Sequence, residues 1–154
     1  MDRLATLELD RYRRRTALMF AAATAALVID LVSKSIAVRL EPSTLLFHVS
    51  DHAPFGLHGS LIFVLVATSL AACVLPARVV ALGAGIALGG ALGNLTSRTW
   101  WSDYGGSPDF IPFADGSTGN LADIFIIAGG VAMMLGALLW LGWTAVAGRD
   151  RAPR

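Results

Sequence analysis

The chain has 154 residues, of which 55% are hydrophobic and only 15% charged, against about 25% charged in a soluble domain. The single cysteine, Cys73, excludes a disulfide scaffold, the apolar content excludes a disordered chain, and 12 Lys+Arg against 11 Asp+Glu lacks the basic excess of a nucleic-acid binder. What is left, at a mean hydropathy of +0.64, is a small integral membrane protein.

A bilayer-crossing helix needs about 20 mostly apolar residues. The pattern predicts a single all-α membrane domain over 1–154, with four transmembrane helices and a small β-like loop region on its outer face. A basic segment, 1–15, precedes the first span at about 16–38. The first outer loop, 41–59, opens with the β-forming run Leu45-Leu46-Phe47-His48-Val49 and is then broken by Asp51, His52, Pro54, Gly56 and Gly59. A second span at about 61–75 stops at Pro76. A third, at about 79–96, follows so closely that the two read as a tight hairpin. The second outer loop, 98–120, carries the interface-type aromatics Trp100, Trp101 and Tyr104. The fourth span covers about 121–143, and 144–154 forms a tail. Gly83, Gly85, Gly89, Gly90 and Gly93 give the third span the small residues that let helices approach closely.

Orientation follows from the basic residues. Arg3, Arg11, Arg13, Arg14, Arg15, Arg78, Arg149, Arg151 and Arg154 all fall on one side of a four-span chain. That side is expected to be cytoplasmic and to hold both termini. The cluster at 11–15 reads as a topology signal in contact with anionic lipid. The first span is too long for a cleaved signal peptide and is expected to stay in place.

Ionisable residues inside spans are expensive and draw attention. Asp30 and Lys34 lie one turn apart in the first span and can pair. Asn94, Ser97 and Arg98 close the third span; Asn120 and Asp123 open the fourth. Antiparallel third and fourth spans would bring these polar groups to one level near the outer interface. End-capping alone would also explain Asn120, Asp123 and Arg98.

At these residues the sequence resembles the lipoprotein signal peptidase (signal peptidase II) family. Residues 89–98, GGALGNLTSR, resemble its G-G-A-x-G-N-x-x-D-R block. Asn120-Leu121-Ala122-Asp123 with Gly129 resembles F-N-x-A-D…G, Asp109-Phe110 the D-F pair that precedes it, and Asp30-Leu31-Val32-Ser33-Lys34 the D-x-x-[ST]-K element of the first span. The resemblance covers roughly residues 16–143. It implies an aspartic-type intramembrane endopeptidase that cuts bacterial prolipoproteins before a lipid-modified cysteine. It further implies two catalytic aspartates, the D of G-N-x-x-D-R and the D of F-N-x-A-D, with the D-F pair outside the dyad. The second falls on Asp123. The first falls on Ser97, which is not a carboxylate.

Other departures accompany this one. The family's N-x-G-A-A-F loop block is degraded at residues 51–55, and Gly119 stands where the family has phenylalanine. Aspartic proteases need two carboxylates that share a proton, and a serine hydroxyl cannot supply one. The expectation is therefore a pseudoenzyme in the bacterial inner membrane. It would keep Asn94, Arg98, Asn120, Asp30 and Lys34 for substrate or lipid binding and associate with lipids, a lipoprotein or another membrane protein. The alternative is an active endopeptidase with an altered dyad, drawing on a Ser97–Lys34 pair or on Asp103 as a substitute carboxylate. No cofactor and no metal are expected, although His48, His52 and His58 share the first outer loop, and no nucleotide-binding loop or nucleic-acid partner is indicated.

Overall fold

The computed structural model describes residues 3–40, 46–48, 69, 75, 77–104 and 106–149. Among them are α1 (Arg3–Leu40), α2 (Arg78–Trp100) and α3 (Leu121–Arg149), each long and apolar enough to cross a membrane. They correspond to the expected first, third and fourth spans. The expected second span lies outside the described residues apart from Ser69 and Leu75. Ser69 is buried, and its hydroxyl donates to the Ala84 carbonyl in the first third of α2 at 3.4 Å.

The helices outrun the apolar stretches. α1 starts at Arg3 because residues 3–15 are dominated by Leu, Ala, Glu and Arg, all strong helix formers. Glu8 and Arg11 add an ion pair one turn apart at 3.3 Å. Likewise α2 continues to Trp100 and α3 to Arg149, so the second loop begins three residues later than expected and the tail is helical at its start.

Glycines set the packing. A Cβ on Gly85 would strike the Met19 carbonyl, one on Gly89 the Ala23 carbonyl, and one on Gly93 the Asp30 carboxylate. The three glycines are spaced four apart, so they form one stripe, and the residues they meet rise in the same order. α1 and α2 therefore run parallel. On another face of α2, Gly83 meets Gly129 and Met133 while Gly90 meets Ala122, which makes α3 antiparallel to α2. The buried face of α1 follows the same helical spacing through Met19, Ala23, Ala26, Asp30 and Lys34. The far side of α3, including Leu138, Leu139 and Trp143, is exposed and apolar, as a lipid-facing surface is.

Beyond α2 comes a 3-10 turn, Ser102–Tyr104, and then short strands: β2 (Ser107–Asp109), β3 (Ile111–Pro112) and β4 (Thr118–Gly119). β1 (Leu46–His48), within the expected β-forming run, pairs antiparallel with β2 so that Leu46 opposes Asp109 and His48 opposes Ser107. β3 pairs with β4, placing Ile111 opposite Gly119. His48 and Arg78 thus lie at opposite ends of the bundle. The β3–β4 turn uses Gly116 at φ +83°, a conformation that favours glycine. There the Asp115 carboxylate accepts from the Ser117 hydroxyl at 2.7 Å and the Ser117 N–H at 3.0 Å. Those donors hold its carboxyl below the usual carboxylate range.

Candidate active site

A fully buried ammonium group joins the helices at the loop end of the bundle. Lys34 and Asp30 are both 0% exposed. Lys34 Nζ donates to Asp30 Oδ2 at 2.8 Å, Asn94 Oδ1 at 2.8 Å and Ser97 Oγ at 3.1 Å. An ammonium has three donors and no acceptor, so this set satisfies it completely. The other Asp30 oxygen, Oδ1, accepts the Ala122 N–H at 2.9 Å, at the start of α3. One ion pair from α1 therefore fixes both α2 and α3. Gly93 makes room for it.

Asn94 passes this anchoring on to Asp123. Its amide orientation is determined by its neighbours, because Lys34 can only donate and a carboxylate only accept. The Asn94 Nδ2 group donates to Asp123 Oδ1 at 2.8 Å. The second oxygen, Oδ2, accepts the Asn120 N–H at 3.0 Å, while Asn120 Oδ1 accepts the Ala122 N–H at 3.0 Å. This is a variant of the capping box: Asn120, the N-cap of α3, caps the Ala122 N–H, and Asp123, three positions on, reaches back to the Asn120 N–H. End-capping and site-building thus use the same residues.

Asn120 has a further partner. Its Nδ2 donates to Asp109 Oδ1 at 2.6 Å and approaches Ser107 Oγ at 3.4 Å. Asp109 and Asp123 line one cavity of about 260 Å3, with Asn94, Arg98, Asn120 and Ser107 around it and Phe113 and Thr118 from the β3–β4 turn. Arg98 Nε is buried and has no hydrogen-bond partner among the described residues.

Of the residues singled out from the sequence, Asn94, Arg98, Asn120 and Asp123 do converge on this cavity. Asp30 and Lys34, grouped with the substrate-binding residues, do not line it; they are buried behind it and hold the helices that do. Ser97 does not line it either. The Ser97 side chain is fully buried, with Oγ 2.9 Å from Ser107 Oγ, donating to the Asn94 carbonyl or to Ser107 and accepting from Lys34. A Ser97–Lys34 nucleophile pair has no support here, because all three Lys34 donors are engaged and one of them holds a carboxylate. Asp103 is exposed on the 3-10 turn and outside the cavity. Among the described residues no group of three or more metal-ligand side chains occurs, and His52 and His58 lie outside them.

Sequence reasoning missed Ser107, Phe113 and Thr118, and it set Asp109 outside the carboxylate pair. Ser107 and Thr118 carried no local signal. Phe113 had one: Gly119 lacks the family's aromatic side chain, and the Phe113 ring occupies the adjoining space, its Cε2 only 2.6 Å from where a Cβ on Gly119 would sit.

The arrangement can be set beside known proteins. The family described as Signal peptidase (SPase) II matches residues 22–139. The chain belongs to the signal peptidase II family. The lipoprotein signal peptidase of Streptomyces coelicolor is 31% identical to it over 150 residues, spanning 83% of this chain and 74% of that protein. That of Bifidobacterium longum subsp. infantis is 30% identical over 147 residues, spanning 81% and 80%. Two solved bacterial membrane enzyme structures, both obtained by the in meso method, share the fold at 15% identity. One has a TM-score of 0.57 and covers 78% of this chain and 92% of that one; the other has 0.55, with 87% and 94%. In this signal peptidase II family member, then, the serine at 97 is met by a buried hydroxyl network rather than by a gap in the cavity.

Proposed function

We propose that the protein is a working lipoprotein signal peptidase: an aspartic-type endopeptidase that cuts prolipoproteins before a lipid-modified cysteine, with Asp109 and Asp123 as its carboxylate pair. The observation that carries this reading is that both carboxylates line one cavity and both are held by Asn120. The names of the relatives point to the same reaction.

The chemistry follows from the pair. One carboxylate takes a proton from a water molecule as its oxygen attacks the scissile carbonyl carbon. The other, protonated, gives its proton to the carbonyl oxygen. Collapse of the tetrahedral intermediate breaks the C–N bond, and the departing nitrogen takes up a proton from the pair. Each general acid–base contribution is worth about 10²–10⁴-fold. Asn94 and Asn120 orient Asp123, and Arg98, with an unpaired buried Nε, binds a substrate acceptor such as a main-chain carbonyl. Asp30, Lys34 and Ser97 are positioning residues. The nine arginines of one side support an inner-membrane orientation with both termini cytoplasmic, which puts the cavity near the outer interface, where a translocated lipoprotein precursor arrives.

The rival reading, an inactive accessory subunit that binds a lipid or lipoprotein, rests on the serine at 97. That hydroxyl is outside the cavity, so its identity does not remove a carboxylate from the pair. The test is cleavage of a lipid-modified prolipoprotein by the purified chain in detergent. Wild type is expected to cut, and Asp109→Asn and Asp123→Asn to lose activity while remaining folded. No cleavage by wild type, while another family member cuts in the same tube, would favour the accessory role.

A further inference from the structure

At the opposite end of the bundle lies a cavity of about 710 Å3 that the peptidase reading does not use. Leu7, Arg11, Arg14 and Leu18 of α1 line it at spacings of three and four residues, so they share one helix face. Arg15 and Arg78 join them, and Asp10 is the only carboxylate among the described lining residues. Arg78 begins α2; sixteen residues separate it from Asn94, about 24 Å along the helix. The cavity is therefore remote from Asp109 and Asp123.

Its charge is unbalanced. Arg11 is shared with Glu8 at 3.3 Å. The ion pairs among the described residues engage none of Arg14, Arg15 and Arg78. Arg15 Nε is buried and has no hydrogen-bond partner among them. The N-cap of α2, Ala77, offers no side-chain hydrogen bond, so the positive end of that helix adds to the same field. Guanidinium forks that converge in excess of the carboxylates around them match the oxygens of a phosphate group. The setting selects among phosphate compounds: apolar Leu7 and Leu18 flank the arginines, and the apolar stretch of α1 begins directly after Arg15. That is the depth at which lipid phosphates lie.

We propose that this cavity binds the headgroup phosphate of an anionic phospholipid, with Arg14, Arg15 and Arg78 as its ligands. The test uses the full chain in nanodiscs of phosphatidylcholine mixed with phosphatidylglycerol, followed by native mass spectrometry of the lipid retained on the protein. Phosphatidylglycerol is expected to be retained over phosphatidylcholine. Arg15→Gln and Arg78→Gln should each lower that preference about fivefold, whereas Arg13→Gln, exposed and outside the cavity, should leave it unchanged. Arg15→Lys, which keeps the charge and loses the fork, provides a milder variant if the glutamine forms fail to fold. Equal retention of both lipids, or an equal loss from Arg13→Gln, would overturn the site in favour of diffuse surface charge. Thermal stabilisation by inorganic phosphate in lipid-free detergent, matching that by phosphatidylglycerol, would overturn the lipid in favour of a free anion.

Discussion

Asn120 donates a 2.6 Å hydrogen bond from its side-chain amide to Asp109, and its main-chain N–H donates to Asp123 at 3.0 Å. A single residue thus sets the separation of the two carboxylates. It is also the N-cap of α3. The two roles come apart in mutants. Serine caps a helix about as well as asparagine but has no amide to reach Asp109. Asn120→Ser should leave the unfolding temperature nearly unchanged and lower kcat about 10²-fold, the scale of a misplacement of about 1 Å. Asn120→Ala should add the loss of the cap, about 1 kcal/mol or less, since Asp30 also accepts the Ala122 N–H. A parallel fall of stability and kcat in both variants would mean that Asn120 acts only as a cap.

Lys34 offers a test of the hub behind the cavity. Lys34→Met leaves Asp30 buried with no counter-charge, and breaking a buried pair from one side costs about 3–5 kcal/mol. Adding Asp30→Asn removes the orphaned charge and keeps an acceptor for the Ala122 N–H. The double variant should therefore unfold at a higher temperature in detergent than Lys34→Met alone. A double variant less stable than the single would show that the ion pair is not the source of the coupling between α1, α2 and α3.

How far the sequence anticipated this arrangement depends on the kind of signal. Hydropathy located the first, third and fourth spans, and spacing paired Asp30 with Lys34, because both depend on local helical geometry. Helix ends were misplaced wherever polar helix formers continued the helix past the apolar stretch, as at residues 3–15. The convergence of Asn94, Asn120 and Asp123 was legible from antiparallel spans. Asp109 and Ser107 were not, since their place depends on β2 pairing with β1 across a long stretch of chain and on the reach of the Asn120 amide. The resemblance weighted position 97 as catalytic. Its burial could not be read from motif spacing, because residues three apart on a helix share a face without sharing a depth.

Gly93 and Gly130 separate close packing from mere presence in a helix. A Cβ at Gly93 would press on the Asp30 carboxylate, whereas one at Gly130 meets nothing within 4 Å. Gly93→Ala should cost about 1–3 kcal/mol, the range for overpacking, and should lower activity by displacing the group that anchors α3. Gly130→Ala should be neutral or slightly stabilising, since alanine is the better helix former by about 1 kcal/mol. Thermal unfolding of the two variants in one detergent decides the matter, and equal stabilities would argue against close contact between Gly93 and Asp30.

Ser97 distinguishes the two readings of the site most sharply. Its hydroxyl accepts from Lys34 and lies 2.9 Å from Ser107, behind the carboxylates rather than between them. Ser97→Ala removes an acceptor for a buried ammonium, a loss of about 1.5–3 kcal/mol in stability. Its effect on kcat should stay near tenfold or below, because neither carboxylate is touched. Ser97→Asp places the family's residue beside Lys34 and should likewise leave a measurable rate, with Lys34 then shared between two carboxylates. Cleavage assays of the three proteins in parallel give the answer. Activity present in wild type and retained in both variants fits a pair made of Asp109 and Asp123. Activity absent in wild type and switched on by Ser97→Asp would assign the missing carboxylate to position 97 and return the protein to the accessory role.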